Sequence, residues 1–143
     1  MSPVNKKAVD KKLDLLDEVI DKLQDVKALS QENFMSDFFI HDTAIRNLVL
    51  GIEIIVDIGN HILSETFHSS ANTYKDVIIA LGEAEVISKD FAKENSQMAD
   101  FRNLIIHAYG SLDMKQVYQN LQKAPDVFRK FAKCYIEFLE KNK

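Results

Sequence analysis

The feature that most constrains the fold is a stretch from Phe34 or Asp37 to about Phe67, in which apolar residues recur at helical spacing without a proline. These apolar positions cover most of the circumference of a helix, which predicts a central helix contacted on several sides. Charged residues interrupt its most apolar part, residues 40–63, which is therefore predicted as a buried core helix rather than a membrane span. The interrupting residues are Asp42, Arg46, Glu53 and Asp57.

Apolar periodicity and capping residues predict further helices on both sides of the central one. The predicted helices cover residues 6–29, residues 73 to about 82, residues 88–109, and a final segment after Asp113. Thr73 and Ser88 are suited to cap the second and third of these helices. The spacing of Asp113 and Gln116 is typical of a capping box at the start of the last one. Ser30–Asn33 is interpreted as a connector and Gly110 as a helix stop. Ala124–Pro125 is interpreted as a break in the final helix or as the start of a new one.

The fold class follows from these segments and from the low content of turn residues. Four glycines and two prolines leave room for long helices and make turn-rich β architectures unfavourable. The sequence therefore predicts an all-α bundle of four main helices plus a short one. We expect it to form a single domain over residues 1–143.

The charge and the cysteine content limit the class of protein. The formal net charge of -4 argues against a broad basic surface for nucleic acid, but a local cluster at a cleft is compatible with RNA as a substrate. The single cysteine, Cys134, excludes an intrachain disulfide and is interpreted as a core residue. Residues 1–4 lead into charged residues without an apolar signal segment, so we expect a cytoplasmic protein with no membrane association.

One segment of the fourth predicted helix carries residues suited to RNA chemistry: Arg102-Asn103-Leu104-Ile105-Ile106-His107-Ala108-Tyr109. Seven positions make nearly two helical turns, so Arg102 and Tyr109 are predicted to share a face, with His107 toward a neighbouring face. An arginine can bind the scissile phosphate, and a histidine can move a proton during attack by the 2′-hydroxyl, without a metal. Taken alone, this spacing favours a surface arginine and a helix-capping histidine, because such pairs often occur by chance.

The residues around this pair resemble the R-x4-H-x-Y signature of HepT-like toxins in the HEPN superfamily. Asn103 follows the arginine, and Tyr109 follows the histidine by two positions, as in that family's pattern. The resemblance extends over most of the chain outside the N-terminal helix. The matching segments are residues 44–48 with Glu53 and residues 57–63 for the family's long second helix, residues 73–81 for its short middle helix, and residues 113–118 for the start of its final helix.

The resemblance implies a HEPN-type homodimer in which two signature segments meet at a shared cleft. It implies a metal-independent endoribonuclease, with no cofactor, that cleaves RNA as the toxin of a toxin–antitoxin pair, with Arg102 and His107 as catalytic residues. The implied partner is an MntA-like minimal nucleotidyltransferase antitoxin, which can transfer AMP to Tyr109. An anionic adduct there would block the cleft and oppose the phosphate site of Arg102. Silencing by antitoxin binding alone is the alternative.

Further polar residues of the central helix are candidates for supporting roles. Glu53, Asp57 and His61 recur at every fourth position and could hold a metal, but a polar stripe is the simpler interpretation, because no second helix supplies a matching set of ligands. Glu53 or Asp57 is better suited to orient the signature arginine. Arg46 and Asn103 complete the supporting set, and no metal site is predicted.

Two other functions stay open beside the nuclease. The first is a non-catalytic HEPN module that binds a nucleotide or a nucleotidyltransferase partner, and the second is a purely structural helical bundle. The intact pair of Arg102 and His107 favours the nuclease over the binding module. Asn103 and Tyr109 favour both HEPN functions over the structural bundle.

Overall fold

The structure is a computed structural model that describes residues 4–142. Residues 1–3, part of the stretch considered above for a signal segment, and residue 143 lie outside the described residues. The described chain is 83% helical and contains no strand, which confirms the all-α prediction. Its helices are α1 (Lys6–Lys27), α2 (Gln31–Ser36), α3 (Phe38–Phe67), α4 (Tyr74–Glu83), α5 (Lys89–Asn95), α6 (Met98–His107) and α7 (Met114–Lys141).

The long helix α3 occupies the centre of the bundle, as its apolar pattern predicts. It contacts α1, α2, α4, α6 and α7, while α1 and α7 also contact each other. Leu48, Ile55 and Ile58 are almost fully buried in the resulting core. On α7, the hydroxyl of Tyr135 donates a hydrogen bond of 2.7 Å to the carbonyl of Ile55. Packing on several sides fixes α3, and part of its remaining polar surface meets α6. In residues 4–142, no helix has the length and hydrophobicity of a bilayer span.

The prediction of a connector at Ser30–Asn33 is wrong, because most of this segment belongs to the short helix α2. The hydroxyl of Ser30 accepts a hydrogen bond of 3.1 Å from the Asn33 backbone N–H and thereby caps this helix. Phe34 anchors the helix in the core, where it is completely buried. A polar sequence thus forms a helix because a cap and one buried aromatic residue stabilise it.

The helix predicted over residues 88–109 is interrupted, and α5 and α6 are separate elements. The side chains of Asn95 and Ser96 donate hydrogen bonds to the carbonyls of Phe91 and Lys93, which compete with the regular ladder of backbone hydrogen bonds. At its other end, α6 stops at His107 rather than before Gly110.

Gly110 does not adopt the left-handed conformation that its predicted role as a helix stop requires. The chain leaves the helix at Ala108, whose φ of -137° and ψ of 39° lie outside the helical region. Gly110 lies in a 3₁₀ turn over Tyr109–Ser111 that follows α6. The prediction of Gly110 as the helix terminator is therefore wrong.

The break predicted at Ala124–Pro125 is also absent, because α7 is continuous through Pro125. Ala124, Pro125 and Phe128 are buried against the rest of the bundle. Packing of this face offsets the backbone hydrogen bond that a proline cannot donate. Asp113 caps α7 as predicted, but its carboxylate accepts from the Lys115 N–H at 2.9 Å.

Candidate active site

The signature segment lies on α6, which runs antiparallel to α3 beside a polar face of that helix. Two side-chain contacts join the segments: Arg102 meets Glu53, and Tyr109, just beyond the end of α6, meets Asp42. Asp42 and Glu53 are eleven positions apart, so the two contacts are separated by about three turns, or about 16 Å, along α3. The signature is therefore tied near both of its ends to one helix.

Three neighbouring groups fix the guanidinium of Arg102. Its Nη2 lies 3.5 Å from Glu53 Oε1, and its Nη1 donates to Asn103 Oδ1 at 3.2 Å. Its central carbon lies 4.5 Å from the ring centroid of Tyr74, which is within the range of a cation–π contact. The Nε is buried and has no hydrogen-bond partner among residues 4–142. A phosphate would therefore meet the terminal nitrogens, each of which carries a second N–H.

His107 occupies the last position of α6 and has an exposed side chain. Along the chain it lies between Arg102 and Tyr109, the two residues whose side chains tie the signature to α3. No hydrogen bond joins His107 to Arg102 within the described chain. The imidazole is accessible to a substrate that reaches the end of α6, as a proton-transfer group must be.

Tyr109 does not share a helix face with Arg102, because the helix ends at His107 before it reaches the tyrosine. That prediction is wrong, and the 3₁₀ turn directs Tyr109 to α3 instead. The phenol donates a hydrogen bond of 2.9 Å to Asp42 Oδ1, although 52% of the residue is exposed. This hydrogen bond, together with some burial and the charge of Asp42, raises the pKa of Tyr109 above its ordinary value. The neutral phenol is favoured because it is the form that donates the hydrogen bond.

The polar stripe on α3 divides among different partners. Glu53 is directed to Arg102, whereas Asp57 lies 3.5 Å from Lys12 of α1. His61 accepts a hydrogen bond of 3.2 Å from the backbone N–H of Asn5. Within residues 4–142, no three His, Cys, Asp or Glu residues are grouped so that they could hold a metal ion. Of the two acidic candidates, the structure brings only Glu53 to the signature arginine.

Arg46 lies on the same face of α3 as Asp42 and Glu53, four positions after the first and seven before the second. Its side chain is exposed, and it forms no ion pair with the residues that the structure describes. This position puts a second arginine on the α3 face that carries both contacts with the signature. The α3–α6 border therefore carries two arginines, Arg46 and Arg102, together with the carboxylates of Asp42 and Glu53, and of the two arginines only Arg102 is paired with one of these carboxylates.

Asp42 and Tyr74 contact Tyr109 and Arg102 of the signature, but the sequence analysis does not include them among the candidate site residues. Asp42 could have been found, because it shares the helix face of Arg46 and Glu53. Tyr74 carries no such signal, since its contact with Arg102 depends on how α4 packs beside α6. Cys134 is predicted as a core residue, but it is only partly buried and packs against the core from outside; burial raises the pKa of its thiol.

A family model described as ribonuclease HepT-like matches residues 16–135. The chain belongs to the HepT-like ribonuclease family. Two curated relatives carry related descriptions. A tRNA nuclease HepT from Aphanizomenon flos-aquae is 25% identical to this chain over 146 residues, and the match covers 99% of each of the two chains. An mRNA nuclease HepT from Shewanella oneidensis is 26% identical over 98 residues, which cover 68% of this chain and 74% of the relative.

Solved structures confirm the HEPN-type fold. A tri-AMPylated HEPN toxin of Shewanella oneidensis in complex with an MNT antitoxin superposes with a TM-score of 0.82 at 23% identity, over 90% of this chain and 96% of the toxin. YutE, described as a cytosolic protein of unknown function from Bacillus subtilis, gives a TM-score of 0.83 at 22% identity, over 99% and 95% of the two chains. The family model confirms the HepT-like family that the signature segment predicts.

Proposed function

We propose that this member of the HepT-like family is a metal-independent endoribonuclease that acts as the toxin of a toxin–antitoxin pair. The observation that carries the proposal is the arrangement at α6, where Arg102 is fixed by Glu53, Asn103 and Tyr74 and His107 is exposed five residues later. The curated relatives named as a tRNA nuclease and an mRNA nuclease support RNA as the substrate class. We place the activity in the cytoplasm, where these RNAs are found.

In the proposed reaction, Arg102 binds the scissile phosphate through its terminal nitrogens and stabilises the charge that develops there. The 2′-hydroxyl attacks phosphorus, and the bond to the 5′-oxygen of the next nucleotide breaks. His107 takes part by accepting the proton of the 2′-hydroxyl or by donating a proton to the leaving oxygen. Glu53 and Asn103 orient Arg102, and Arg46 adds positive charge for the RNA backbone. Asp57 has no part in this scheme, because its partner is Lys12.

We further propose that two copies of the chain form the cleft. Large apolar side chains are exposed at the start of α3 and along α6, the two elements that carry the signature contacts. The exposed fraction is 63% for Phe38, 69% for Phe39 and 47% for Ile106. Exposed apolar side chains beside a functional segment are typical of an interaction surface. A homodimer through this region would bring two sets of Arg102 and His107 together.

The proposed partner is a nucleotidyltransferase antitoxin of the MntA type. The tri-AMPylated HEPN toxin with an MNT antitoxin has the same fold as this chain and supports that choice. Tyr109 is the proposed acceptor of AMP, since about half of the residue (52%) is exposed at the signature. A negative adduct there would repel RNA phosphates and occupy the space beside His107. Mass spectrometry of protein neutralised by its partner tests this proposal, and an unmodified Tyr109 in that protein would instead indicate silencing by occlusion.

The nuclease proposal is tested by incubating total RNA and tRNA with purified, unmodified protein in EDTA. We expect cleavage by the wild type and a rate lower by about 10²–10⁴-fold for His107→Ala, the usual contribution of a proton-transfer group. His68→Asn is the matched control, because His68 is an exposed histidine at the opposite end of α3 and asparagine tolerates its left-handed conformation. Equal cleavage by His107→Ala and the wild type would exclude His107. If the wild type cleaves none of these RNAs, the chain is a non-catalytic HEPN binding module.

A further inference from the structure

The first turn of α4 lies directly against the signature arginine, although it is remote from the signature in sequence. Tyr74 is the first residue of α4 and follows the cap Thr73, whose hydroxyl accepts a hydrogen bond of 3.1 Å from the Asp76 N–H. The guanidinium carbon of Arg102 lies 4.5 Å from the centroid of the Tyr74 ring. The cap sets where α4 begins and therefore where this ring is presented.

The other contacts of Arg102 leave the guanidinium free to tilt about its long axis, and the Tyr74 ring removes this freedom. Glu53 and Asn103 each meet one terminal nitrogen of the guanidinium, at 3.5 Å and 3.2 Å. These contacts act at the edge of the planar group and do not prevent it from tilting about its long axis. An aromatic face beneath the guanidinium prevents this tilt, because a planar cation is attracted to the ring surface.

A second contact joins the start of α4 to α6. Lys75 lies 3.8 Å from Asp100, which precedes Arg102 by two positions. Both side chains are about half exposed, at 48% and 61%, so this ion pair contributes little by itself. It is nevertheless consistent with a fixed position of the first turn of α4 beside Arg102. The packing of α4 on α3 and α6 supplies the rest of that rigidity.

We propose that Tyr74 is a positioning residue that holds the Arg102 guanidinium over its ring and so sets the direction in which the terminal nitrogens meet an RNA phosphate. This inference deepens the proposed function and depends on it for the effect on cleavage. The ring contributes through its aromatic face, while the Tyr74 hydroxyl has no hydrogen bond in the part of the chain that the structure describes. Tyr74→Phe should therefore retain the role, whereas Tyr74→Leu should lose it.

The first test is steady-state cleavage of RNA by the full-length protein. We expect Tyr74→Leu to lower kcat about tenfold or more, since small misplacements of a catalytic group have large effects, and Tyr74→Phe to remain within about twofold of the wild type. Phe67→Leu is the matched control, because it likewise replaces a partly exposed aromatic ring by leucine. Phe67 lies at the far end of α3, away from Arg102, where its ring packs on Phe138. An equal loss of kcat in Phe67→Leu and Tyr74→Leu would reduce the effect to stability and overturn the inference.

The second test does not depend on cleavage. In an NMR spectrum, the side-chain N–H resonance of Arg102 is assigned by its disappearance in Arg102→Ala, and the nearby ring should shift it from the position of a solvated arginine. We expect this shift to vanish in Tyr74→Leu and to persist in Tyr74→Phe. An Arg102 resonance that is unchanged in Tyr74→Leu would overturn the inference even if the nuclease is active. If the wild type cleaves no RNA, the proposed function fails, and this measurement still decides whether Tyr74 holds Arg102.

Discussion

Gly51 on α3 allows α7 to approach the central helix closely, and its replacement by alanine should destabilise the fold. A Cβ atom at this position would overlap Phe128 Cε2 and would lie 2.8 Å from Cδ2. Ordinary van der Waals contact begins near 3.4 Å, so the ring and the α3 backbone would have to move apart. Phe128 is only 1% exposed, so its ring lies within the core.

The magnitude follows from two opposing terms. Alanine is favoured over glycine in a helix interior by about 1 kcal/mol, whereas overpacking of a core costs about 1–3 kcal/mol. The difference is a net loss of up to about 2 kcal/mol, and we expect about 1–2 kcal/mol because the clash involves a ring buried in the core. For a chain of this size, this corresponds to a Tm lower by about 3–8 °C.

The assay is urea denaturation followed by circular dichroism, with Gly110→Ala as the matched control. A Cβ atom at Gly110 would meet no heavy atom within 4 Å beyond its chain neighbours, and the φ of Gly110 is not in the left-handed region. Alanine should therefore be neutral there or stabilise by up to about 1 kcal/mol through the unfolded state. If Gly51→Ala is as stable as Gly110→Ala at unchanged m value, α3 and α7 do not pack as closely as described.

Two tyrosines give predictions about pH. Asp42→Ala should lower the pKa of Tyr109 toward its ordinary value in a phenolate absorbance titration, and an unchanged midpoint would mean that the hydrogen bond does not form in solution. Burial raises the pKa of Tyr135 far above its usual range, so the folded protein keeps the phenol proton at a pH where the unfolded chain loses it. The contribution of Tyr135 to the free energy of unfolding is therefore fully present below about pH 10 and decreases as the pH rises further. Tyr135→Phe should lower the free energy of unfolding by about 1 kcal/mol at pH 7, because the hydrogen bond to the Ile55 carbonyl is lost. Above about pH 10, the denaturation midpoint of this variant should fall less steeply with pH than that of the wild type. Parallel slopes in the two proteins would contradict the assignment.

Sequence patterns predict the long elements of this fold better than its breaks. The apolar periodicity of α3 predicts a central helix, because burial on several sides leaves a repeated signal. The end of α6 at His107 and the continuity of α7 through Pro125 depend instead on side-chain bonds and packing between remote segments. A glycine or a proline in the sequence therefore marks a possible break, and tertiary packing decides whether the break occurs.

The same distinction holds for the site. Arg102 and His107 belong to a compact signature, so the family resemblance predicts their roles from sequence. The contact of Glu53 with Arg102 follows an expectation based on the polar stripe of α3. Tyr74 and the Asp42–Tyr109 hydrogen bond lie outside any local pattern, because they join segments that are 28 and 67 residues apart in the chain.

The most direct test of the proposed chemistry is the structure of the RNA ends that the protein produces in EDTA. Attack by the 2′-hydroxyl, with Arg102 on the phosphate and His107 moving a proton, predicts fragments that end in a 2′,3′-cyclic phosphate or its hydrolysis product and begin with a 5′-hydroxyl. Mass spectrometry of the fragments should detect these ends for the wild type and, after the same incubation, only a small fraction of them for Arg102→Ala and His107→Ala. Fragments with 3′-hydroxyl and 5′-phosphate ends, or a wild-type yield of the same fragments from either variant, would contradict the account.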